Sequence, residues 1–260
     1  MLCREVGNMK ASFLNHHKPL LTVMLQNTTP DLTIGTIRNG LVNGAEAFGF
    51  QAESLHKEHR SIENYKRIFG EMQGKPVYVT NYRGGSNEGK SDEILTEEML
   101  ELAENGATLC DVMGDMFCKH PEELTDNPEA IQKQMRYIEA LHEKGAEVLM
   151  SSHVLKFIPA ERVLEIAFEQ KRRGADVIKI VTGADTMEQQ LENLRITDLL
   201  KRELGAPFLF LSGGECTLHR RLGMKLGCCM CLCVYEHHAG STASQPLLRI
   251  AKTVREDLGF

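Results

Sequence analysis

A Gly-Ala dipeptide recurs along this chain, and each copy lies between a helical pattern and a short apolar run. Glycine ends a helix readily because it adopts the left-handed backbone conformation without a steric penalty. The apolar runs that follow are short and β-like, so each dipeptide is typical of the joint between a helix and the next strand of a repeated unit. The copies are Gly44-Ala45, Gly106-Ala107, Gly145-Ala146, Gly174-Ala175 and Gly205-Ala206.

Eight strands and eight helices are predicted to alternate over the 260 residues. Strict alternation indicates a parallel sheet, and eight units in a chain of this length favour a closed (β/α)8 barrel, or TIM barrel, over an open sheet. The strands are predicted near residues 20–25, 46–51, 76–80, 108–113, 147–151, 176–181, 207–211 and 229–234. The helices are predicted near residues 31–43, 61–71, 93–105, 127–145, 159–173, 186–203, 215–226 and 244–257.

The barrel is predicted to fill residues 18–260 as a single domain, because no linker rich in Pro, Gly or Ser divides the chain. Residues 1–17 are poorly patterned and are expected to have no role in the fold, and either Met1 or Met9 serves as the natural start. No G-x-G-x-x-G turn follows the first strand, which argues against a bound dinucleotide.

The charge and hydropathy of the chain limit which classes of molecule it is expected to bind and where it is expected to reside. The net charge is −6, and no basic stripe is present, so nucleic acid is not expected to bind. No apolar run approaches the roughly 18 residues that a membrane helix needs. The N-terminus lacks the apolar core of a signal peptide, so we expect a cytoplasmic protein whose eight cysteines are free thiols.

Lys179 is the strongest candidate for chemistry. It interrupts an apolar strand pattern over residues 176–181, and both faces of such a strand are buried in a barrel. Lysine is almost never buried without a reason, and burial disfavours the ammonium form, which exposes a nucleophilic amine. The alternatives are a lysine that extends to solvent or one that forms a structural ion pair.

His153 ends the preceding strand, and neighbouring parallel strands lie about 5 Å apart. His153 and Lys179 are therefore predicted to reach one substrate, with the imidazole acting as base and then as acid near neutral pH. A loop or capping role is the alternative for His153.

Other strand ends carry weaker candidates. Arg83 precedes a glycine-rich loop at 84–90, and a surface turn is the simpler interpretation of that segment. Ser212-Gly213-Gly214 opens a predicted helix whose free N–H groups suit an anion, and Arg220 or Arg221 follows, although paired arginines are more often solvated. The cysteines of Cys228–Cys233 alternate along a predicted buried strand, so a metal site is not expected there.

Together these segments resemble the type I 3-dehydroquinate dehydratases over nearly the whole chain. The segments that carry the resemblance are 78–83, 150–153, 174–181, 211–214 with Arg221, and 241–245. The resemblance implies a (β/α)8 barrel, imine formation by Lys179, proton transfer by His153, and no metal or organic cofactor. It also implies supporting roles for other residues: Glu88 orients His153 if the loop from Gly84 has one extra residue, Arg83 contacts substrate, Arg221 binds the substrate carboxylate, and Ser241 and Gln245 close over the ring.

The sequence departs from the family pattern at positions that recognise substrate. Gly49 stands where the family has a glutamate, Gln51 replaces an arginine, and Met113 replaces an acid at the end of strand four. The last loop reads Thr242-Ala243-Ser244 instead of Ala-Pro-Gly. The groups implied to form the imine are thus retained, while part of the recognition shell is changed.

The predicted function is that of a lyase of the shikimate pathway, in aromatic amino acid biosynthesis, which dehydrates 3-dehydroquinate to 3-dehydroshikimate. The first alternative is a divergent paralogue that performs imine chemistry, as dehydratase or aldolase, on another keto acid. The second is a barrel that binds a carboxylated metabolite with weak or no catalysis. All three share a small carboxylated keto ligand, and a homodimer is compatible with each.

Overall fold

A computed structural model describes residues 11–14, 16–214 and 218–260 of the chain. Within them, eight strands alternate with eight α-helices, as the sequence predicts. The strands are β1 Leu20–Leu25, β2 Ala47–Gln51, β3 Val77–Thr80, β4 Leu109–Met113, β5 Glu147–His153, β6 Val177–Ala184, β7 Phe208–Gly214 and β8 Met230–Cys233. The helices are α1 Pro30–Val42, α2 Ile62–Gly70, α3 Asp92–Glu104, α4 Pro128–Glu143, α5 Ala160–Arg172, α6 Met187–Glu203, α7 His219–Leu226 and α8 Leu248–Asp257.

The strands form one parallel sheet in the order β7-β6-β5-β4-β3-β2-β1-β8. Near the seam between β7 and β8, the backbone N–H of Cys229 donates to the carbonyl of Phe208 at 2.9 Å. The sheet is therefore a nearly closed barrel, and the predicted single (β/α)8 fold is confirmed. The carboxyl ends of all strands share one mouth, which is where side chains from different strands converge.

The Gly-Ala joints have the backbone geometry that the sequence predicts. The glycines of all five dipeptides adopt positive φ, from 59° at Gly205 to 127° at Gly106. An L-residue with a side chain rarely adopts this conformation, so each glycine lets the chain leave a helix and enter the next strand within a few residues.

Residues 11–14 take part in the fold, whereas residues 1–17 were expected to have no role in it. The Phe13 ring is buried in the core, and its N–H donates to Oε2 of Glu147 at 2.8 Å. Ser12 also hydrogen-bonds to Glu147 through its hydroxyl. Residues 11–14 therefore pack against the start of β5. Phe13 is buried in the core and Leu14 packs against it, but two adjacent apolar residues form no periodic pattern that would reveal the segment.

The last helix begins at Leu248 instead of 244 because the chain before it still bonds to the sheet. The N–H of Val234 donates to the carbonyl of Pro246 at 2.9 Å, and the N–H of Leu248 donates to the carbonyl of Val234 at 2.8 Å. These bonds hold the loop of residues 235–247 against the mouth of the barrel. The predicted start of α7 at 215 lies outside the described residues.

The cysteine-rich strand belongs to the core. Cys231 and Cys233 are buried on β8, and both are free thiols. Burial raises the pKa of Cys231 to about 12, so this thiol is neutral near pH 7. Among the described residues, no helix is long and apolar enough to cross a membrane.

Candidate active site

Lys179 lies in the middle of β6, and its side chain points into the barrel with only 4% of the residue exposed. Three oxygen atoms surround its Nζ atom. The distances are 2.9 Å to the hydroxyl of Tyr78, 2.5 Å to the hydroxyl of Tyr82 and 3.1 Å to Oδ2 of Asp111. Three acceptors satisfy the three N–H bonds of an ammonium group.

Asp111 is the charge partner of Lys179, and the sequence analysis did not identify it. Its Oδ2 accepts hydrogen bonds from both tyrosine hydroxyls, and its Oδ1 accepts one from Ser151 at 2.6 Å. An unpaired charge in a barrel core would be very costly, and this pair with its hydrogen bonds avoids that cost. The ion pair that the sequence left open for Lys179 is present, and it lies inside the site.

His153 is the last residue of β5 and pairs in register with Val181 of β6. Its Nδ1 lies 2.5 Å from Oε2 of Glu123, and its backbone N–H donates to the same oxygen. The ring of Tyr82 meets the imidazole edge to face, with 5.2 Å between ring centroids. The Nδ1 contact directs the opposite nitrogen, Nε2, away from the carboxylate.

Glu123, and not Glu88, is therefore the carboxylate that holds His153. Glu88 is exposed at the end of a short turn after β3. Asn87 anchors that turn, since its buried amide donates to Asn81 and to the Tyr82 carbonyl. The long loop after β4 crosses the end of β5 instead, and Glu123 adopts a left-handed φ of 48° there. The sequence position of Glu123, in an irregular loop, carries no signal of this contact.

A cavity of about 190 Å³ opens at the mouth of the barrel above Lys179. It joins the lysine, the histidine and polar groups from several strand ends in one space. Its lining includes Met24, Gln51, Tyr78, Thr80, Tyr82, His153, Leu155, Lys179, Val181, Leu211, Arg220, Leu232, Thr242 and Gln245.

Arg220 lines this cavity, and Arg221 does not. Both lie in the first turn of α7, and consecutive residues of a helix point about 100° apart. The Nε atom of Arg220 donates to the carbonyl of Ser212 at 3.1 Å, which ties the side chain to the end of β7. The arginine of this helix that faces the cavity is thus Arg220, whereas Arg221 was the residue predicted to bind a carboxylate.

Arg83 is engaged elsewhere. Its guanidinium forms ion pairs with Asp92 at 2.6 Å and with Asp115 at 2.7 Å, and it is not among the residues that line the cavity. These contacts tie the start of α3 to the loop after β4. Two carboxylates thus hold the guanidinium of Arg83 away from the cavity lining, whereas a contact with substrate was predicted for it.

The loop after β8 brings one of its two predicted residues to the cavity. Gln245 lines it, and the buried side-chain oxygen of Gln245 accepts no hydrogen bond from any described residue. Ser241 instead closes a turn, its hydroxyl donating to the carbonyl of His238 at 2.8 Å. Thr242 lines the cavity, and its N–H donates to the Gln26 side chain at 3.1 Å.

Neighbouring residues pack against or hydrogen-bond to each of the three positions that depart from the family pattern. A Cβ atom on Gly49 would lie 2.2 Å from Sδ of Met24 and 3.2 Å from the ring of Tyr78, so their side chains occupy the space of an acidic residue. Gln51 accepts a hydrogen bond from Gln26 at 2.7 Å. Met113 is buried in a small apolar cluster with Leu95 and Met116.

Glu53 is a second acidic group near the mouth. Its carboxyl accepts a hydrogen bond from the hydroxyl of Thr80 at 2.9 Å, and burial raises its pKa from 4.5 to about 7. The native state therefore favours the protonated form. The stability that protonated Glu53 contributes to the folded state is therefore complete below pH 4.5, and it is lost as the pH rises through about 7.

We expect Glu53→Gln to remove this loss, because glutamine is neutral at every pH. Relative to the wild type, the variant's free energy of unfolding should rise by about 3 kcal/mol between pH 4.5 and pH 7.5. Urea unfolding at both pH values measures this difference. Glu58→Gln, at an exposed carboxyl of the same segment, should keep the wild-type pH dependence; equal behaviour of the two variants would contradict the prediction.

Among the described residues, no three His, Cys, Asp or Glu side chains converge as a metal site would require. Four of the ionisable groups at the mouth form two separate pairs, Lys179 with Asp111 and His153 with Glu123. This arrangement suits a nucleophilic amine beside an acid–base imidazole.

Comparison with known proteins agrees with this geometry. Residues 22–255 match the sequence model of the family described as type I 3-dehydroquinase. No curated protein matches the sequence. Among solved structures, the 3-dehydroquinate dehydratase of Geobacillus kaustophilus HTA426 superposes with a TM-score of 0.80 and 16% identity, covering 93% of this chain and 91% of that chain.

Two further structures are similar. The type I 3-dehydroquinate dehydratase of Clostridium difficile, with covalently modified comenic acid, has a TM-score of 0.78 at 16% identity and covers 94% of this chain and 93% of its own. The enzyme of Enterococcus faecalis has a TM-score of 0.76 at 14% identity, with coverages of 95% and 98%. Sequence identities this low establish a shared fold only, whereas the match to the family model spans most of the sequence. The chain belongs to the type I 3-dehydroquinase family.

Proposed function

We propose that this protein dehydrates 3-dehydroquinate to 3-dehydroshikimate through an imine on Lys179. The observation that carries the proposal is the buried amine of Lys179 in one cavity with His153 and Arg220. Family membership supports a carbon–oxygen lyase of this type. A buried lysine with a histidine beside it has little use in a protein that only binds a metabolite.

The proposed chemistry uses the charge of the imine. Lys179 attacks the substrate ketone, and water leaves to give an iminium that faces Asp111. The iminium nitrogen withdraws electrons, so the neighbouring C–H becomes acidic enough for an imidazole to remove its proton. His153 takes this proton and returns it to the departing hydroxyl. Glu123 fixes the imidazole so that the same nitrogen serves both steps.

Arg220 is the proposed carboxylate ligand, because its guanidinium is the cationic fork on the cavity wall. The orphan side-chain oxygen of Gln245 is placed to accept a hydrogen bond from a substrate hydroxyl. The two groups would hold opposite ends of a small hydroxylated keto acid above Lys179.

Arg220→Ala is expected to lower kcat/KM for 3-dehydroquinate by about 10- to 100-fold, since charge-assisted hydrogen bonds contribute about 1.5–3 kcal/mol. Arg221→Ala should stay within about threefold of the wild type, because Arg221 does not line the cavity. Steady-state kinetics of the two variants show which arginine binds the substrate carboxylate. A larger loss in Arg221→Ala would return the carboxylate site to the position first predicted.

Turnover tests the reaction itself. The product is a conjugated enone, so its ultraviolet absorbance should rise when the protein is mixed with 3-dehydroquinate. Lys179→Ala should give no such rise. If the folded wild-type protein leaves 3-dehydroquinate unchanged over hours at high protein concentration, the dehydratase proposal is contradicted.

The second candidate is the same imine chemistry on another keto acid. Two observations favour it: Met24 and Tyr78 fill the space beside Gly49, and two carboxylates hold Arg83. A site that lacks a hydroxyl-binding group loses discrimination for the hydroxyl by several orders of magnitude. Borohydride trapping with a panel of keto acids, read by intact mass, would show which ketones reach Lys179.

A further inference from the structure

The hydroxyl of Tyr82 occupies a position that the proposed chemistry has not yet used. It lies 2.5 Å from Nζ of Lys179 and 2.5 Å from Oδ2 of Asp111, and the ring packs against His153. Tyr78 contacts the same nitrogen and the same carboxylate, at 2.9 Å from Nζ, but its side chain has no exposed surface. Tyr82 is partly exposed and lines the cavity, so it is the more accessible of the two tyrosines to a molecule bound there.

We propose that Tyr82 is a further catalytic residue, whose hydroxyl shuttles protons between Lys179, Asp111 and the substrate oxygen while the imine forms. This inference rests on the proposed imine chemistry of Lys179, although not on the identity of the keto substrate.

Covalent geometry brings the substrate oxygen to Tyr82. When the amine of Lys179 adds to a ketone, the new C–N bond and the former carbonyl C–O bond share one carbon. The nitrogen and oxygen are then roughly 2.4 Å apart, as two single bonds at a tetrahedral angle require. A hydroxyl that already contacts the nitrogen can therefore also hydrogen-bond to the oxygen when the C–O bond points to its side of the nitrogen.

The proton transfers balance. Asp111 first takes one proton from the Lys179 ammonium, which frees the lone pair that forms the C–N bond. Tyr82 then gives its proton to the alkoxide and takes one from the nitrogen, which yields a neutral carbinolamine. In the last step Tyr82 gives a proton to the carbinolamine hydroxyl and takes the one held by Asp111. Water leaves with the C–O electron pair, the nitrogen lone pair forms the C=N bond, and both side chains regain their starting states.

The surroundings of Tyr82 favour a shuttle over a stable tyrosinate. Burial and the nearby Asp111 carboxylate raise the pKa of Tyr82 well above the usual value near 10. The hydroxyl must therefore receive one proton as it gives up the other. With Tyr82 in this role, His153 is left to act on the carbon acid, which is a separate proton transfer.

Formaldehyde with cyanoborohydride tests the inference, because it methylates lysine through a carbinolamine and an iminium without any substrate recognition. Peptide mass spectrometry follows the rate at Lys179, and exposed lysines such as Lys57 serve as references in each sample. Tyr82→Phe should slow methylation of Lys179 by about 10²–10⁴-fold, the usual range for a lost acid–base group. Tyr78→Phe, which removes the other hydroxyl from Lys179 and Asp111, should slow methylation less than Tyr82→Phe does. Tyr137→Phe is the matched control at a buried tyrosine outside the cavity lining, and it should keep the wild-type rate.

Three results would overturn the inference. Equal slowing by Tyr82→Phe and Tyr78→Phe would mean that both hydroxyls only position the amine. A loss in His153→Gln with full reactivity in Tyr82→Phe would assign the shuttle to His153. If D2O slows methylation of Lys179 in the wild type no more than methylation of the reference lysines, proton transfer does not limit the reaction at Lys179. This last measurement needs no variant.

The experiment is independent of the dehydratase proposal. If Lys179 methylation depends on Tyr82 while 3-dehydroquinate is not turned over, the shuttle stands and the substrate assignment fails. Near-ultraviolet circular dichroism of each variant, compared with the wild type, verifies that the core is folded before rates are interpreted.

Discussion

Lys179→Met is expected to abolish turnover and, separately, to lower the free energy of unfolding by about 3–5 kcal/mol. The first effect follows because methionine cannot form an imine. The second follows because Asp111, which has no exposed side-chain surface, loses its counter-charge. Activity assays and urea unfolding of the purified variant measure the two effects independently.

The double variant Lys179→Met/Asp111→Asn separates catalysis from stability. Replacing both charges removes the uncompensated carboxylate, so most of the lost unfolding free energy should return while turnover stays absent. If the double variant is as unstable as Lys179→Met, the ion pair is not what stabilises the barrel centre. If Lys179→Met keeps measurable turnover, an imine on this residue is excluded.

Glu123→Gln should reduce kcat by about 10²–10⁴-fold, the range seen when the partner that fixes a catalytic imidazole is lost or made neutral. The hydrogen bond at Nδ1 would persist in altered form, so substrate binding, and with it KM, should change little. The reduction comes from loss of the carboxylate that stabilises the charged imidazole after it takes the substrate proton. Steady-state kinetics across pH 6–9 measure it.

Glu88→Gln is the matched control for Glu123→Gln, because it makes the same chemical change at the residue that the sequence first indicated. Glu88 is exposed and away from His153, so kcat should stay within about twofold. A strong loss in Glu88→Gln with normal activity in Glu123→Gln would restore the original assignment.

The barrel was predictable because its signals are local. Each of the five Gly-Ala joints indicates a helix end through backbone conformation alone. Eight alternating strands and helices leave few architectures other than a barrel. Lys179 was predictable because a lysine inside an apolar strand is anomalous. Its neighbour His153 followed from the spacing of adjacent strands. Asp111 likewise interrupts the apolar strand β4, so the reasoning that singled out Lys179 would have singled it out as well.

The supporting groups were harder to predict, since loops position them. Glu123 reaches His153 from an irregular loop whose path depends on contacts with β5, and no periodic pattern encodes such a path. Arg220 and Arg221 differ by one step on a helix whose start follows residues 215–217, so a one-residue difference in register selects which of them faces the cavity. Arg83 was assigned to substrate, whereas Asp92 and Asp115 hold it, and both partners are distant in sequence or hidden in turns.

The most direct test of the central claim is a reduced adduct on Lys179. Wild-type protein is incubated with 3-dehydroquinate and borohydride, and intact and peptide masses are measured, with a parallel sample without borohydride assayed for product. We predict one adduct per chain, located on Lys179, together with product in the parallel sample. A folded protein that gains no adduct, or gains it on another lysine, would contradict the proposal that Lys179 carries the chemistry.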